Sequence, residues 1–280
     1  MTILLDGKTT STKILLNLAE KINLLEKKPK LAVIIVGENP ASRLYVNLKQ
    51  KRAEAIGIES LVIPLPEDVT QEALLEHIDI LNEDTSISAI LVQLPLPEQI
   101  DPSKVLQRIA PHKDVDGFNP INAGLLAVGA TPSAYPCTPL GIIALLNEYK
   151  INIAGKHAVI LGRSNIVGKP LSYMLLEKNA TVTICHSKTQ NLSNHTKSAD
   201  ILISAVGQPH IITKDMVKPN AIVIDVGITK TENNKIIGDV DFANVSQIAG
   251  AITPNPGGVG PMTIAMLLAN TYRLHSLNND

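Results

Sequence analysis

The feature that most restricts how this chain can fold is a rhythm of short, almost unbroken apolar runs. "LAVIIVG" (31–37), "LVIPL" (61–65) and "AILVQLPLP" (89–97) form one series. "HAVILG" (157–162), "ATVTICHS" (180–187), "DILISAVG" (200–207) and "AIVIDVG" (221–227) form a second. A run that is apolar at consecutive positions predicts a strand covered on both faces, as in parallel sheets. Longer stretches with helical character separate the runs, so the pattern predicts βαβ units and an α/β fold. Two series predict two domains, the second a doubly wound parallel sheet.

The break between the series falls within 118–140. There "FNPINAG" and "ATPSAYPCTPLG" concentrate Pro, Gly, Ser and Thr, the residues of turns and linkers. "GPMTIAMLLANTYRLHSL" (260–277) has a helix pattern after a Gly/Pro-rich loop, and the pattern alone lets it pack on either domain. The expected division is 1–120 as one domain and 121–261 as the other, with 262–280 returning to the first.

Composition excludes several classes. Net charge is −1 with no basic block, aromatics are 2% and Trp is absent, against a nucleic-acid partner that is held by stacking. No apolar run reaches the length of a membrane span, so no membrane association is expected. Cys137 and Cys185 are too few for a disulfide framework and lack metal spacing, so they are expected to be plain thiols in a reducing compartment, with no metal site. "MTILLDGKTTSTK" lacks the marks of a signal peptide, and the expected location is the cytoplasm.

"HAVILGRSNIVGKPLSYMLLEKN" reads as strand, glycine turn and helix, the context that a Rossmann-type dinucleotide loop needs. Gly162 allows a tight turn off the strand, and the following helix N-terminus offers N–H groups to phosphate. Gly168 is the second glycine, and Ser164 stands where a middle glycine is usual. The loop alone fits an ordinary βα turn equally well. The next strand ends "ICHSKT", without the acid that an NAD enzyme places on the ribose 2′-hydroxyl. Arg163, Ser187 and Lys188 suit a 2′-phosphate instead, hence NADP, although a solvated surface charge is the plainer reading of Lys188. "VGQP" (206–209) and "VGIT" (226–229) end later strands, so backbone near Gly207 and Ile228 is expected to border the cofactor.

In the first series, "GENPASRLYVNLKQKRAEAIG" predicts a helix with Asn39 as N-cap, Pro40 as first residue and Gly57 as stop. At 100° per residue Leu44, Leu48 and Ala55 share a face, expected to be the core. Ser42, Tyr45 and Lys49 line an adjacent stripe, a place for a site wall or for a solvated lysine and a half-wet tyrosine. Gln93 ends a buried strand before two prolines, and its amide needs partners. Asp116 precedes Gly117 in "KDVDGFNP", which is also a favoured turn pair. "TPNPGGVGPMT" (253–263) makes a rigid loop whose backbone can approach a ligand.

Together these residues resemble the bifunctional methylenetetrahydrofolate dehydrogenase/methenyltetrahydrofolate cyclohydrolase family. The matching pieces, "SRLYVNLKQKRAEAIG", "VQLPLP", "KDVDGF", "PCTPLGI", "GRSNIVGKP", "CHSKT", "VGQP", "DVGI", "GDVD" and "PGGVGPMTI", occur in order over nearly the whole chain. The resemblance implies two α/β domains flanking a cleft, a tetrahydrofolate-derived substrate, NADP on the second domain and a homodimer in one-carbon metabolism and purine biosynthesis. It implies Lys49 as the catalytic lysine, Tyr45 stacked on the folate, Gln93 hydrogen-bonded to Lys49, and Asp116 on the pterin. Val92, Leu94, Pro256, Gly257 and Gly258 would flank the folate. Gly162, Arg163, Ser164, Ile166, Ser187, Gly207 and Ile228 would bind NADP. Asn119, Leu125 and Asn255 depart from the family pattern, which usually has a histidine, a basic residue and a valine there.

The implied chemistry is hydride loss from a one-carbon bridge, then water addition to the resulting cation. A lysine assists the second step in its neutral form, which burial and a hydrogen-bonding neighbour favour. Rival readings are another NADP-linked two-domain dehydrogenase, such as a shikimate-type enzyme, and a non-catalytic nucleotide-binding module. Neither requires the Tyr45, Lys49 and Gln93 set.

Overall fold

The computed structural model describes residues 2–231 and 236–279 of the 280. In chain order the elements are β1 (Ile3–Leu4), α1 (Gly7–Asn23), β2 (Lys30–Val36), α2 (Pro40–Glu54), β3 (Glu59–Leu65), α3 (Gln71–Glu83), β4 (Ala89–Val92), α4 (Pro102–Arg108) and α5 (Pro120–Ala127). There follow α6 (Cys137–Glu148), β5 (His157–Leu161), α7 (Gly168–Glu177), β6 (Thr181–Cys185), α8 (Leu192–Lys197) and β7 (Ile201–Ser204). A short 3-10 turn (Lys214–Met216) precedes β8 (Ile222–Asp225), β9 (Thr229–Lys230), β10 (Ile236–Ile237), α9 (Phe242–Val245), β11 (Ala251–Ile252) and α10 (Val259–Asn279).

The chain divides into two compact units, Lys13–Cys137 with Ile264–Asp280, and Met1–Thr12 with Thr138–Thr263. Both are α/β with parallel sheets, as the two apolar series predict. The observed division differs from the expected one in two places: the boundary falls after Cys137 and not at 120, and the first twelve residues go with the second domain. Ile3 and Leu4 pair in parallel with Ala251 and Ile252, so β1 is an edge strand of the second sheet. A two-residue pairing to a partner so distant in sequence leaves no local periodicity to read.

The unit of Lys13–Cys137 and Ile264–Asp280 holds a three-stranded sheet ordered β3-β2-β4. The central strand β2 is buried nearly throughout, and β4 is buried at all four positions. Leu74, Ile78 and Leu81 of α3 close one face over Ala32, Ile34, Val36, Ile90 and Val92. The run 61–65, expected to be a buried strand, is instead half-exposed within β3. Its place at the sheet edge explains this, and the edge also tolerates Pro64, which has no N–H to give a ladder.

The other unit carries a six-stranded parallel sheet ordered β1-β11-β8-β7-β5-β6. Strand β5 comes first of its βαβ series, β6 lies on one side of it and β7 on the other. The strand order therefore reverses at β5, and in such sheets ligands bind at the carboxyl ends beside the reversal.

Candidate active site

Helix α2 begins as its sequence predicts. The Asn39 side chain accepts from Ser42 N at 3.1 Å, Pro40 is the first helical residue, and Gly57 beyond the last turn has φ +85°. Its phase differs from expectation. Leu44 is 69% exposed, Leu48 is 39% exposed and Ala55 is exposed, while Ser42, Val46 and Ala53 are buried. Two neighbouring stripes both carry apolar residues, and the one with smaller side chains packs on the sheet, where a helix can lie close. This rotation brings Lys49 to the margin of the packed face, half-buried, with Tyr45 38% exposed one turn earlier.

Lys49 Nζ donates to Gln93 Oε1 at 2.9 Å. Gln93 is fixed from its own side. Its backbone N donates to Ile34 O, continuing β4 along β2, and its Nε2 donates to Leu94 O at 2.6 Å. Val92 is the buried last residue of β4, Leu94 is half-buried, and the Leu94–Pro95 peptide is cis.

Asp116 lies within electrostatic reach of Lys49. Burial pushes its carboxyl above the usual range, and the Lys49 charge and the Cys137 thiol oppose that rise. Gly117 needs its φ of +68° and its missing side chain, because a Cβ there would stand 2.8 Å from Ala134 O and Pro136 N. Behind this turn Asp114 Oδ2 accepts from Asn119 N at 2.8 Å and Asn122 Nδ2 at 2.9 Å. Burial still raises Asp114 to about 6.

Asn119, one of the departures, caps α5: its Oδ1 accepts from Ile121 N at 2.8 Å and its Nδ2 donates to Ile109 O at 2.9 Å. Leu125, on the same helix, is half-buried. Two further residues brace the site without having been singled out. The buried Cys137 thiol, pushed well up by burial and then by Asp116, donates to Val115 O at 3.5 Å. Asn270 Nδ2 of α10 donates to Val115 O at 2.8 Å and Tyr135 O at 2.7 Å. A buried Asn inside the apolar run "MLLANTYRL" was the available signal for the second.

In the unit with the six-stranded sheet the predicted cofactor residues lie at the carboxyl ends of β5, β6, β7 and β8. Gly162 follows β5 with φ +125°, and a Cβ on it would lie 2.6 Å from Ala205 O. A Cβ on Gly168 would lie 2.1 Å from Gly162 O, so α7 starts hard against the turn. The two glycines thus perform the turn and helix-packing tasks of a dinucleotide loop. Ser164 Oγ accepts from Val167 N at 3.1 Å, capping the N–H groups of that helix start. Arg163, Ser164, Ile166, Ser187, Lys188, Gly207 and Ile228 are all exposed around it.

Pro256, Gly257 and Gly258 follow β11 in this same unit, whereas the Lys49 set belongs to the other. Gly257 O accepts from Lys8 N at 2.9 Å. Asn255, the third departure, donates from Nδ2 to Gly227 O at 2.5 Å and so ties this loop to the end of β8. Among the described residues no cluster of His, Cys, Asp and Glu could hold a metal.

The profile of the tetrahydrofolate dehydrogenase/cyclohydrolase catalytic domain matches residues 5–116, and that of the family's NAD(P)-binding domain matches residues 136–279. This chain belongs to the tetrahydrofolate dehydrogenase/cyclohydrolase family. It is 54% identical to the bifunctional protein FolD of Streptococcus agalactiae, over 98% of this chain and 97% of that protein. Its fold is similar to that of the bifunctional FolD dehydrogenase/cyclohydrolase of Campylobacter jejuni, with TM-score 0.98 and 51% identity over 99% of each chain. The Trypanosoma brucei dehydrogenase-cyclohydrolase, solved with NADP and an inhibitor, superposes at TM-score 0.94 with 39% identity, covering 99% of this chain and 98% of that one.

Proposed function

We propose that this chain oxidises 5,10-methylenetetrahydrofolate to the 5,10-methenyl form with NADP and then hydrolyses that product to 10-formyltetrahydrofolate. It is an enzyme with both activities in one-carbon metabolism. The observation that carries the reading is the Lys49 Nζ to Gln93 Oε1 hydrogen bond beside Asp116. A shikimate-type dehydrogenase or a nucleotide-sensing module has no use for that pair.

The glycine turn fits the cofactor, because Gly162 and Gly168 let the turn after β5 and the start of α7 close tightly, as a dinucleotide loop requires. The N–H groups of Val167, Gly168 and Lys169 are taken by Ser164 and Pro170 has none, so the helix start itself is not the phosphate donor that the sequence suggested. NADP held there supplies the hydride acceptor. Gly162 and Ser164 in this turn would hold its phosphates, Arg163 and Ser187 would read the 2′-phosphate, and Ile166, Gly207 and Ile228 would border it. Tyr45 stacks on the folate. The Asp116 carboxylate accepts from the paired N–H groups of the pterin edge, a geometry suited to a charge-assisted pair. Val92, Leu94, Pro256, Gly257 and Gly258 shape the folate's surroundings. Lys49, oriented by Gln93, takes the proton from the water that adds to the methenyl carbon.

The chain works as a cytoplasmic homodimer and supplies formyl groups for purine synthesis. The exposed edge of β3, with Leu61 37% exposed, supports a second copy of the chain as partner. Two buried free thiols support a reducing compartment, and among the described residues no helix is long and apolar enough to cross a membrane. Purified protein mixed with methylenetetrahydrofolate and NADP is expected to produce NADPH while the methenyl chromophore rises and decays. Absence of both signals would overturn the reading.

A further inference from the structure

Two buried acids stand behind the cofactor loops, and neither belongs to the site described so far. Asp225 ends β8 and Asp239 follows β10; they are 4% and 0% exposed. Asp239 Oδ2 accepts from the Ser204 hydroxyl at 2.9 Å and from Val206 N at 2.8 Å, and its Oδ1 accepts from Gln208 N at 2.9 Å. Asp225 Oδ1 accepts from Gly227 N at 2.9 Å and from Asp239 N at 3.0 Å, while its Oδ2 accepts from Val240 N at 3.1 Å.

The packing has no slack. A Cβ on Gly227 would meet Asp239 Oδ1 at 2.2 Å, and one on Gly238 would meet Asp225 Oδ2 at 1.9 Å. Backbone is therefore pressed against both carboxylates, and both are filled by donors from loops. One of those loops carries Gly207 and the other leads into Ile228. A buried carboxylate that accepts several N–H groups holds them at fixed positions, and an isosteric amide cannot, since one of its two polar atoms only donates.

We propose that Asp239, braced by Asp225, is a positioning residue that sets the strand-end loops carrying Gly207 and Ile228 in the shape that receives the pyridine nucleotide. This rests on the NADP-dependent reading above. Asp239 touches neither cofactor nor substrate; it acts through Val206 N and Gln208 N.

The test is Asp239→Asn, compared with the parent by calorimetric titration of NADP and by separate assays of the two activities. NADP affinity is expected to weaken about tenfold, with KM for NADP rising in step, because a buried N–H loses its acceptor. The cyclohydrolase step, which uses no nucleotide, and kcat at saturating NADP are expected to stay within about twofold of the parent. Ser204→Ala removes one donor from the same carboxylate at little structural cost, and is expected to weaken NADP about threefold; it decides the matter if Asp239→Asn does not fold. Unchanged NADP affinity in the folded variants would overturn the proposal. So would a cyclohydrolase loss that parallels the loss of affinity, which would mean general destabilisation. If the parent binds NADP but turns over no folate, the activity reading fails while the calorimetry still decides the role of Asp239.

Discussion

At the scale of single residues, catalysis is assigned to one amine and its neighbours. Lys49→Ala is expected to lower cyclohydrolase turnover by about 10²- to 10⁴-fold, the usual worth of a positioned proton acceptor, while calorimetry shows NADP binding as in the parent. Cyclohydrolase turnover equal to the parent's would remove Lys49 from its role. Arg163→Ala is expected to weaken NADP about tenfold and NAD much less, since the exposed guanidinium is assigned to the 2′-phosphate; equal loss for both would show that Arg163 reads something else. Lys49, Gln93 and Asp116 each sit at a local landmark, a helix stripe, a strand end and an Asp-Gly turn, which drew attention to them, while the roles proposed for them came from the family resemblance. The structure adds the Lys49–Gln93 hydrogen bond. Cys137 and Asn270 were not singled out. Their contact joins positions 133 residues apart, and the one local signal, a polar Asn inside the apolar run "MLLANTYRL", does not name its partner.

At the scale of elements, the strand–turn–helix around Gly162 was readable because its glycines are demanded by backbone geometry. Gly168→Ala tests that demand directly. With Gly162 O only 2.1 Å from the added methyl, the helix start must move, and NADP affinity is expected to fall at least tenfold while cyclohydrolase turnover persists. Full NADP affinity in this variant would mean that the turn is not the phosphate cradle. Helix α2 shows the opposite case. Its existence, cap and stop followed from Asn39, Pro40 and Gly57, but its rotation did not. With Leu44 and Leu48 on one stripe and Val46 and Ala53 on the next, periodicity offered two faces, and the fit of small side chains against β2 and β3 chose between them. Strand β3 was recognised by its apolar run yet not as an edge, because edge position depends on which strands pair, a fact absent from the run itself.

For the whole molecule, two buried groups pull stability in opposite directions with pH. The Asp114 carboxyl is raised from 3.8 to about 6, so its contribution is complete below 3.8 and disappears as pH climbs through about 6. His275, lowered from 6.5 mainly by burial, contributes above 6.5 and loses that contribution as pH drops. Melting temperatures of the parent and Asp114→Asn, followed with pH, are expected to diverge below about 6 and to run parallel above it, the parent gaining relative stability on acidification. A constant difference across that window would refute the assignment. Assembly is tested by light scattering: the 30.0 kDa chain is expected to elute at twice its mass, and Leu61→Glu on the β3 edge to return it to a monomer. A monomeric parent would remove the dimer.

The edge strand β1 has a consequence for synthesis. Its partner β11 lies almost 250 residues downstream, and the unit of the three-stranded sheet likewise waits for Ile264–Asp280. Neither unit has all its parts until residues beyond 250 have been made. Translation order therefore cannot complete them one after the other. The leading residues must stay uncommitted while most of the polypeptide emerges, a long-range closure of the slow kind that leaves young chains reliant on protection from association.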